Sequence, residues 1–99
     1  MESEKATERY LVKRIAELGG EAYKFTSPGR RFVTDRICVL PKGLIWFVEV
    51  KSEGQKPAPG QQREIERLVQ KGHFASWVDT KASVDHVIKC MRMFMEAKQ

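Results

Sequence analysis

The six residues Ile45 to Val50, IWFVEV, restrict the possible folds of this chain more than any other stretch. Apolar side chains occupy every position but one, and no polar side alternates with them. The stretch therefore reads as a strand buried on both faces, in a sheet with layers above and below. Glu49 is the exception, and Lys51 follows it two residues later. A buried carboxylate costs several kcal/mol unless something compensates it, so the compensating group is the chemical question that the strand raises.

With 99 residues, 41% of them hydrophobic and 31% charged, the chain suits one α/β domain over residues 1–99 with a single modest core. Eighteen Lys and Arg against thirteen Asp and Glu leave a net charge of +5, which favours polyanionic partners such as nucleic acid. The opening MESEKATERY is polar where a signal peptide needs an apolar segment, and no apolar run reaches the length of a membrane span. A cytoplasmic protein without membrane contact is expected. Cys38 and Cys90 are too few and too far apart for a disulfide framework or a metal site, and both lie in apolar patterns that suit buried thiols.

The periodicities predict the order αβββαβα. Leu11, Val12, Ile15 and Leu18 recur at helical spacing after a cap at Ser3 or Thr7, and Gly19-Gly20 ends that helix. The strands EAYKF, VTDRICVL and LIWFVEVK follow, the last two joined by Pro41-Lys42-Gly43 as a hairpin. After the loop SEGQKPAPG, a helix is expected from about Gln61 to Lys71, then the strand FASWVD. A last helix capped by Ser83 carries Val84, Val87, Ile88, Met91 and Met95.

The hairpin narrows the question about Glu49. With Lys42 at its centre, residues equidistant from Lys42 face each other, so Asp35 falls opposite Glu49. Facing residues share one side of the ladder, with Cβ atoms roughly 4.5–5.5 Å apart. Two carboxylates and the Lys51 ammonium then converge at one end of an apolar face. Like charges placed so are destabilising, and a divalent cation is one compensating group, because Mg²⁺ takes carboxylates, waters and phosphate oxygens as ligands. Simple neutralisation of the pair by Lys51 at a strand end is the other account.

Glu8 and Glu4 precede Leu11 by about one and two turns and extend the apolar stripe of the first helix, which puts both carboxylates on its packed side. Of the two, Glu8 is the favoured site residue, since Glu4 also suits a helix start by its charge alone. In the second helix Gln61 precedes Ile65 and Leu68 on the inward face. It is placed to bond a phosphate or a water at the site, or to serve as a buried polar cap. His73 and His86 are isolated and read as surface residues.

In order and spacing these pieces resemble the VRR-NUC family of PD-(D/E)XK nucleases in its small stand-alone form. The resemblance rests on ERYLVKRIAELGG, YKF, SPGRR, the V-x-D-R of Val33 to Arg36, FVEVK, KPAPGQ and RLVQKG, and it covers nearly the whole chain. The family usually has Pro before its metal-binding Asp, and often Gly two residues before that Pro. Here Thr34 and Phe32 stand in those places, which leaves the backbone before Asp35 less fixed.

The resemblance implies a restriction-endonuclease-like fold, a mixed four-stranded sheet flanked by helices, and a metal-dependent phosphodiesterase acting on DNA. Asp35, Glu49 and the carbonyl of Val50 would bind Mg²⁺ or Mn²⁺, with Glu8 joining directly or through water. Lys51 would orient the attacking water or help to deprotonate it, and Gln61 would complete the catalytic group. Lys24 matches the lysine of the family's first strand. Arg30 and Arg31, in the loop before Asp35, and Lys56, in the Pro-rich loop, are candidate DNA contacts, which fix backbone position rather than read sequence. Arg30 and Arg31 also suit a solvated loop. Small stand-alone relatives resemble Holliday junction resolvases, so a homodimer acting on four-way junctions is expected. Flap or nick cleavage, or a non-catalytic DNA-binding module, are the alternatives. Cys90 and Met93 on the last helix, with Met91, Phe94 and Met95 crowding the same end, offer an interface, or simply a helix packed on the sheet.

Overall fold

The computed structural model describes residues 1–98. Its elements are α1 (Glu4–Glu17), β1 (Glu21–Lys24), β2 (Arg36–Val39), a 3-10 turn (Pro41–Gly43), β3 (Ile45–Val50), α2 (Pro59–Gln70), β4 (Phe74–Val78) and α3 (Lys81–Ala97). This is the αβββαβα order expected from the periodicities. The sheet runs β1-β2-β3-β4, with the first three strands antiparallel and β4 parallel to β3 across the α2 crossover.

The tight turn sets the register of the hairpin. Lys42 takes a left-handed conformation with φ of 64° and Gly43 follows with φ of 73°, a reversal tight enough to leave no residue over on either strand. Arg36 pairs with Val48, Ile37 with Phe47 and Val39 with Ile45, all equidistant from Lys42.

Alternation along the strands then divides the sheet into two unlike faces. Cys38, Trp46, Val48 and Val50 turn toward α1 and α3 and form one core with Leu11, Ile15, Val84, Ile88 and Met91, all 6% exposed or less. Ile37, Phe47 and Glu49 turn the other way, where α2 lies against β4. The expected burial of β3 on both faces is therefore only partly met. Ile45 is 47% exposed and Phe47 half-buried, because one helix cannot roof four strands and α2 covers the β4 side. Glu49 lies at the covered end and is only 2% exposed.

Two helix starts differ from expectation. The cap of α3 is Thr80, whose hydroxyl accepts the Ser83 N–H at 3.0 Å, while Ser83 Oγ accepts the Thr80 N–H at 3.0 Å. Ser83 is thus the reciprocal partner of a capping box rather than the cap itself. The second helix begins at Pro59, two residues before Gln61, since a proline in the first turn loses no helical hydrogen bond. On α3, Phe94 packs on Phe74 with ring centroids 4.6 Å apart yet stays 45% exposed, and Met93 beside it is 60% exposed. Among the described residues no helix is long and apolar enough to cross a membrane.

Candidate active site

Asp35 immediately precedes β2, and continuing the observed register by one step sets it opposite Glu49. Its backbone carbonyl accepts the Phe25 N–H at 3.0 Å, and its Oδ2 accepts the Val50 N–H at 2.8 Å. The side chain is thereby fastened across the end of β3. Lys51 continues that strand, its N–H donating to the Val78 carbonyl at 2.8 Å.

Gln61 closes the group. Its Nε2 donates to Glu49 Oε2 at 2.8 Å, and its Oε1 accepts from Lys51 Nζ at 3.3 Å and from the Ala58 N–H at 2.8 Å. One amide therefore links the carboxylate to the ammonium and also satisfies a free N–H at the start of α2. The polar-cap and site readings of Gln61 describe the same side chain.

The electrostatics of this pair are unfavourable as it stands. Burial pushes the Glu49 carboxyl up to about 7, the Asp35 charge and hydrogen bond add to that, Lys51 opposes it, and Glu4 contributes a further small push upward. Lys51 alone does not offset the burial and the neighbouring carboxylate. One oxygen of each carboxylate accepts a protein N–H, Asp35 Oδ2 from Val50 and Glu49 Oε2 from Gln61. Among the described residues there is no group of three His, Cys, Asp or Glu able to hold a metal by side chains alone. Two carboxylates with a backbone carbonyl and waters are nevertheless a donor set that suits Mg²⁺, which keeps several waters when bound.

Of the two α1 carboxylates, Glu8 has a partner on the other face of the sheet. Glu8 Oε2 accepts from Arg36 Nε at 2.8 Å, and Arg36, next to Asp35 on the strand, points to the opposite face. Glu8 is thus paired on the α1 side of the sheet. Glu4 is the helix carboxylate whose charge reaches Glu49. The N-terminal segment is held at that end, with the Glu2 carboxylate accepting the Lys81 N–H at 2.8 Å and Thr7 Oγ1 bonding the Asp79 carbonyl at 3.4 Å. Helical spacing puts both glutamates on one side of α1, but only docking decides that Glu8 meets Arg36.

The remaining candidates divide similarly. Lys24 is opposite Arg36 in the sheet and lines a cleft with Lys5, Glu8 and Arg9, away from the Asp35 face. Arg30 lies on the α2 side and bonds Glu64 Oε1 at 2.7 Å, and Arg31 stacks over the Phe32 ring at 5.4 Å. Lys56 is exposed in the loop before α2. Cys38 is buried, with its thiol pushed up to about 12 by burial, and is chemically inert there. Sequence reasoning missed Glu64, a carboxylate 7% exposed on α2, because its burial and its Arg30 partner come from a loop 34 residues earlier in the chain.

The fold and sequence have counterparts in known proteins. A solved structure described as a VRR_NUC domain superposes with a TM-score of 0.83 at 37% identity, covering 90% of this chain and 97% of that one. A protein named "Putative nuclease p44" from Acyrthosiphon pisum secondary endosymbiont phage 1 is 49% identical over 78 residues, 79% of this chain and 84% of its own length. The chain belongs to the VRR-NUC family of nucleases. No protein-family model matches it.

As a VRR-NUC chain it departs from the family's pattern at Thr34 and Phe32, and both residues have structural work. Thr34 is 2% exposed and its hydroxyl bonds the Arg36 carbonyl at 3.4 Å, a local tie around Asp35 where a proline would have stiffened the chain. Phe32 lies on Gly60, where an added Cβ would come within 2.3 Å of its ring. Gly60→Ala is accordingly expected to lower stability by roughly 1–3 kcal/mol through overpacking, and Phe32→Ala in the same chain to recover part of the loss. Urea denaturation of the single and double variants checks this, and equal midpoints for Gly60→Ala and wild type would refute it.

Proposed function

We propose that this VRR-NUC protein is a metal-dependent, structure-selective DNA endonuclease that acts as a homodimer on four-way junctions. The observation that carries the reading is the facing pair of Asp35 and Glu49, with Glu49 buried and joined through Gln61 to Lys51 and Asp35 fastened to the Val50 N–H. Asp35, Glu49 and the Val50 carbonyl would hold Mg²⁺ or Mn²⁺. When bound, the cation supplies positive charge to a phosphoryl oxygen and acidifies water. Glu4 takes the water-mediated role first expected of Glu8, because its charge is the one felt at Glu49.

The chain's own groups do the positioning. Gln61 holds the Glu49 carboxylate in one orientation and keeps the Lys51 ammonium from collapsing onto it. Lys51 is then free to orient the attacking water, and its positive charge favours loss of that water's proton. Arg30, Arg31 and Lys56 lie toward the α2 side, where backbone phosphates flanking the scissile bond would pass, and Lys24 adds positive charge on the opposite side. Such contacts select DNA shape rather than sequence.

One site per chain makes one cut, whereas two sites related by a two-fold axis make two. The exposed side chains of Met93 and Phe94 on α3 supply an apolar surface for such a pairing. The test is cleavage of labelled four-way junction, flap, nicked duplex and plain duplex with Mg²⁺, Mn²⁺ or EDTA, together with sedimentation velocity. Paired symmetric cuts that require metal, from a protein sedimenting as a dimer, are expected. Cutting confined to flaps or nicks would remove the junction assignment, and no cutting of any substrate would remove the nuclease assignment.

A further inference from the structure

We propose that a four-arginine cleft along the outer side of α2 is a second DNA-backbone site, taking phosphates next to the scissile one; this deepens the nuclease reading and rests on it. The cleft has a volume of about 370 Å³ and is lined by Arg30, Arg31 and Phe32 from the loop before β2 and by Arg63, Glu64 and Arg67 from α2. Arg63 and Arg67 are four residues apart and so share one side of the helix. The chain brings a second pair of arginines over them because Phe32 seats its ring on Gly60, leaving the adjoining Arg30 and Arg31 at the rim.

The charge balance points to an anionic ligand. Four guanidinium groups face a single carboxylate, Glu64, whose side chain is 9% exposed and which pairs with Arg30 at 2.7 Å and with Arg67 at 3.8 Å. Both of these arginines remain about half exposed, at 47% and 48%. Glu64 therefore anchors two guanidinium groups from beneath without covering them. Among the described residues neither Arg31 nor Arg63 forms a salt bridge. A planar guanidinium held at its base still presents donors in a fork that matches phosphate oxygens.

Position ties the cleft to the carboxylate pair. Gly60 directly precedes Gln61, which bonds Glu49, and Phe32 is three residues before Asp35. A DNA strand with one phosphate at Asp35 and Glu49 and running toward α2 meets the arginines next. The Phe32 ring, at the same rim, adds an apolar surface against which a sugar or base can rest.

The experiment is fluorescence anisotropy of a fluorescein-labelled four-way junction in EDTA across a range of KCl concentrations. The proteins compared are wild type, Arg63→Gln/Arg67→Gln and Arg63→Lys/Arg67→Lys. Each phosphate contact contributes roughly 0.9 to the slope of log affinity against log salt, so the glutamine pair should flatten it by about 2 and weaken binding roughly tenfold or more at low salt. The lysine pair should retain most of the slope. Unchanged affinity and slope in the glutamine pair would overturn the proposal, as would weaker binding with an unchanged slope, which indicates a disturbed fold rather than a lost phosphate contact. Junction cleavage by the wild type in Mg²⁺ is scored separately. Binding that responds to the arginines in a protein that never cleaves discards the nuclease reading and keeps the cleft, whereas cleavage with arginine-independent binding does the reverse.

Discussion

Asp35→Asn is expected to lower metal-dependent DNA cleavage by roughly 10³-fold or more, equivalent to about 4 kcal/mol of transition-state stabilisation, while leaving DNA binding in place. The same substitution is expected to raise the stability of the metal-free protein by about 1 kcal/mol. Both effects come from one geometry. Asparagine keeps an oxygen that accepts the Val50 N–H, now bonded at 2.8 Å, so the strand end stays fastened. It removes the negative charge that helps to push the Glu49 carboxyl up, so a repulsion disappears along with a metal ligand. If Asp35 were present only to form a structural ion pair with Lys51, removing its charge would cost stability instead. Paired measurements of single-turnover cleavage and thermal melting in EDTA separate the accounts, and a falling melting temperature with cleavage retained would defeat the assignment of Asp35 as a metal ligand.

Stability should also depend on pH and metal through Glu49. Its carboxyl is raised from the usual range to about 7, by burial first and by Asp35 second. Between those values the folded chain holds a proton that the unfolded chain has released. Stability from this group is therefore fully present below the unfolded pKa of 4.5 and is lost as pH rises through about 7. A tenfold change in proton affinity corresponds to about 1.4 kcal/mol, so the loss is about 3 kcal/mol at most, and smaller to the extent that water screens the carboxylate. Glu49→Gln cannot titrate and should remove this component, so the difference in melting temperature between variant and wild type, measured in EDTA, widens from pH 5 to pH 8. Mg²⁺ competes with the proton for Glu49, so added Mg²⁺ should stabilise the wild type more at pH 8 than at pH 5.5 and stabilise the Gln variant little. A constant difference across pH, or equal stabilisation of both proteins by Mg²⁺, would contradict this account of the site.

Much of the site was legible because its central geometry is local. Asp35 and Glu49 meet through a seven-residue arm on each side of Lys42, and the period of two along a strand then decides which side chains share a face. The resemblance carried by Asp35, Glu49, Lys51 and Gln61 pointed to the same end of the hairpin. Gln61 was also readable, since one residue can both cap a helix start and face inward when the helix begins at a proline two residues earlier.

What was not legible depended on how whole elements dock. Glu4 and Glu8 are on one side of α1, and only the packing of Leu11 and Ile15 into the core, with the N-terminal segment fastened to Lys81 and Glu53, sets Glu8 against Arg36. Ile45 and Phe47 belong to an apolar run, yet their exposure follows from α2 lying mainly over β4. The arginine cleft joins residues 34 positions apart, Arg30 and Glu64, through a ring seated on a glycine. The sequence by itself determined the element order, the hairpin register and the pairing of Asp35 with Glu49, because these follow from turn chemistry and alternation among near neighbours. Only the tertiary structure decided the partner of Glu8, the open half of the sheet and the partners of the arginines, because these depend on the rotation and offset of helices held by contacts distant in the chain.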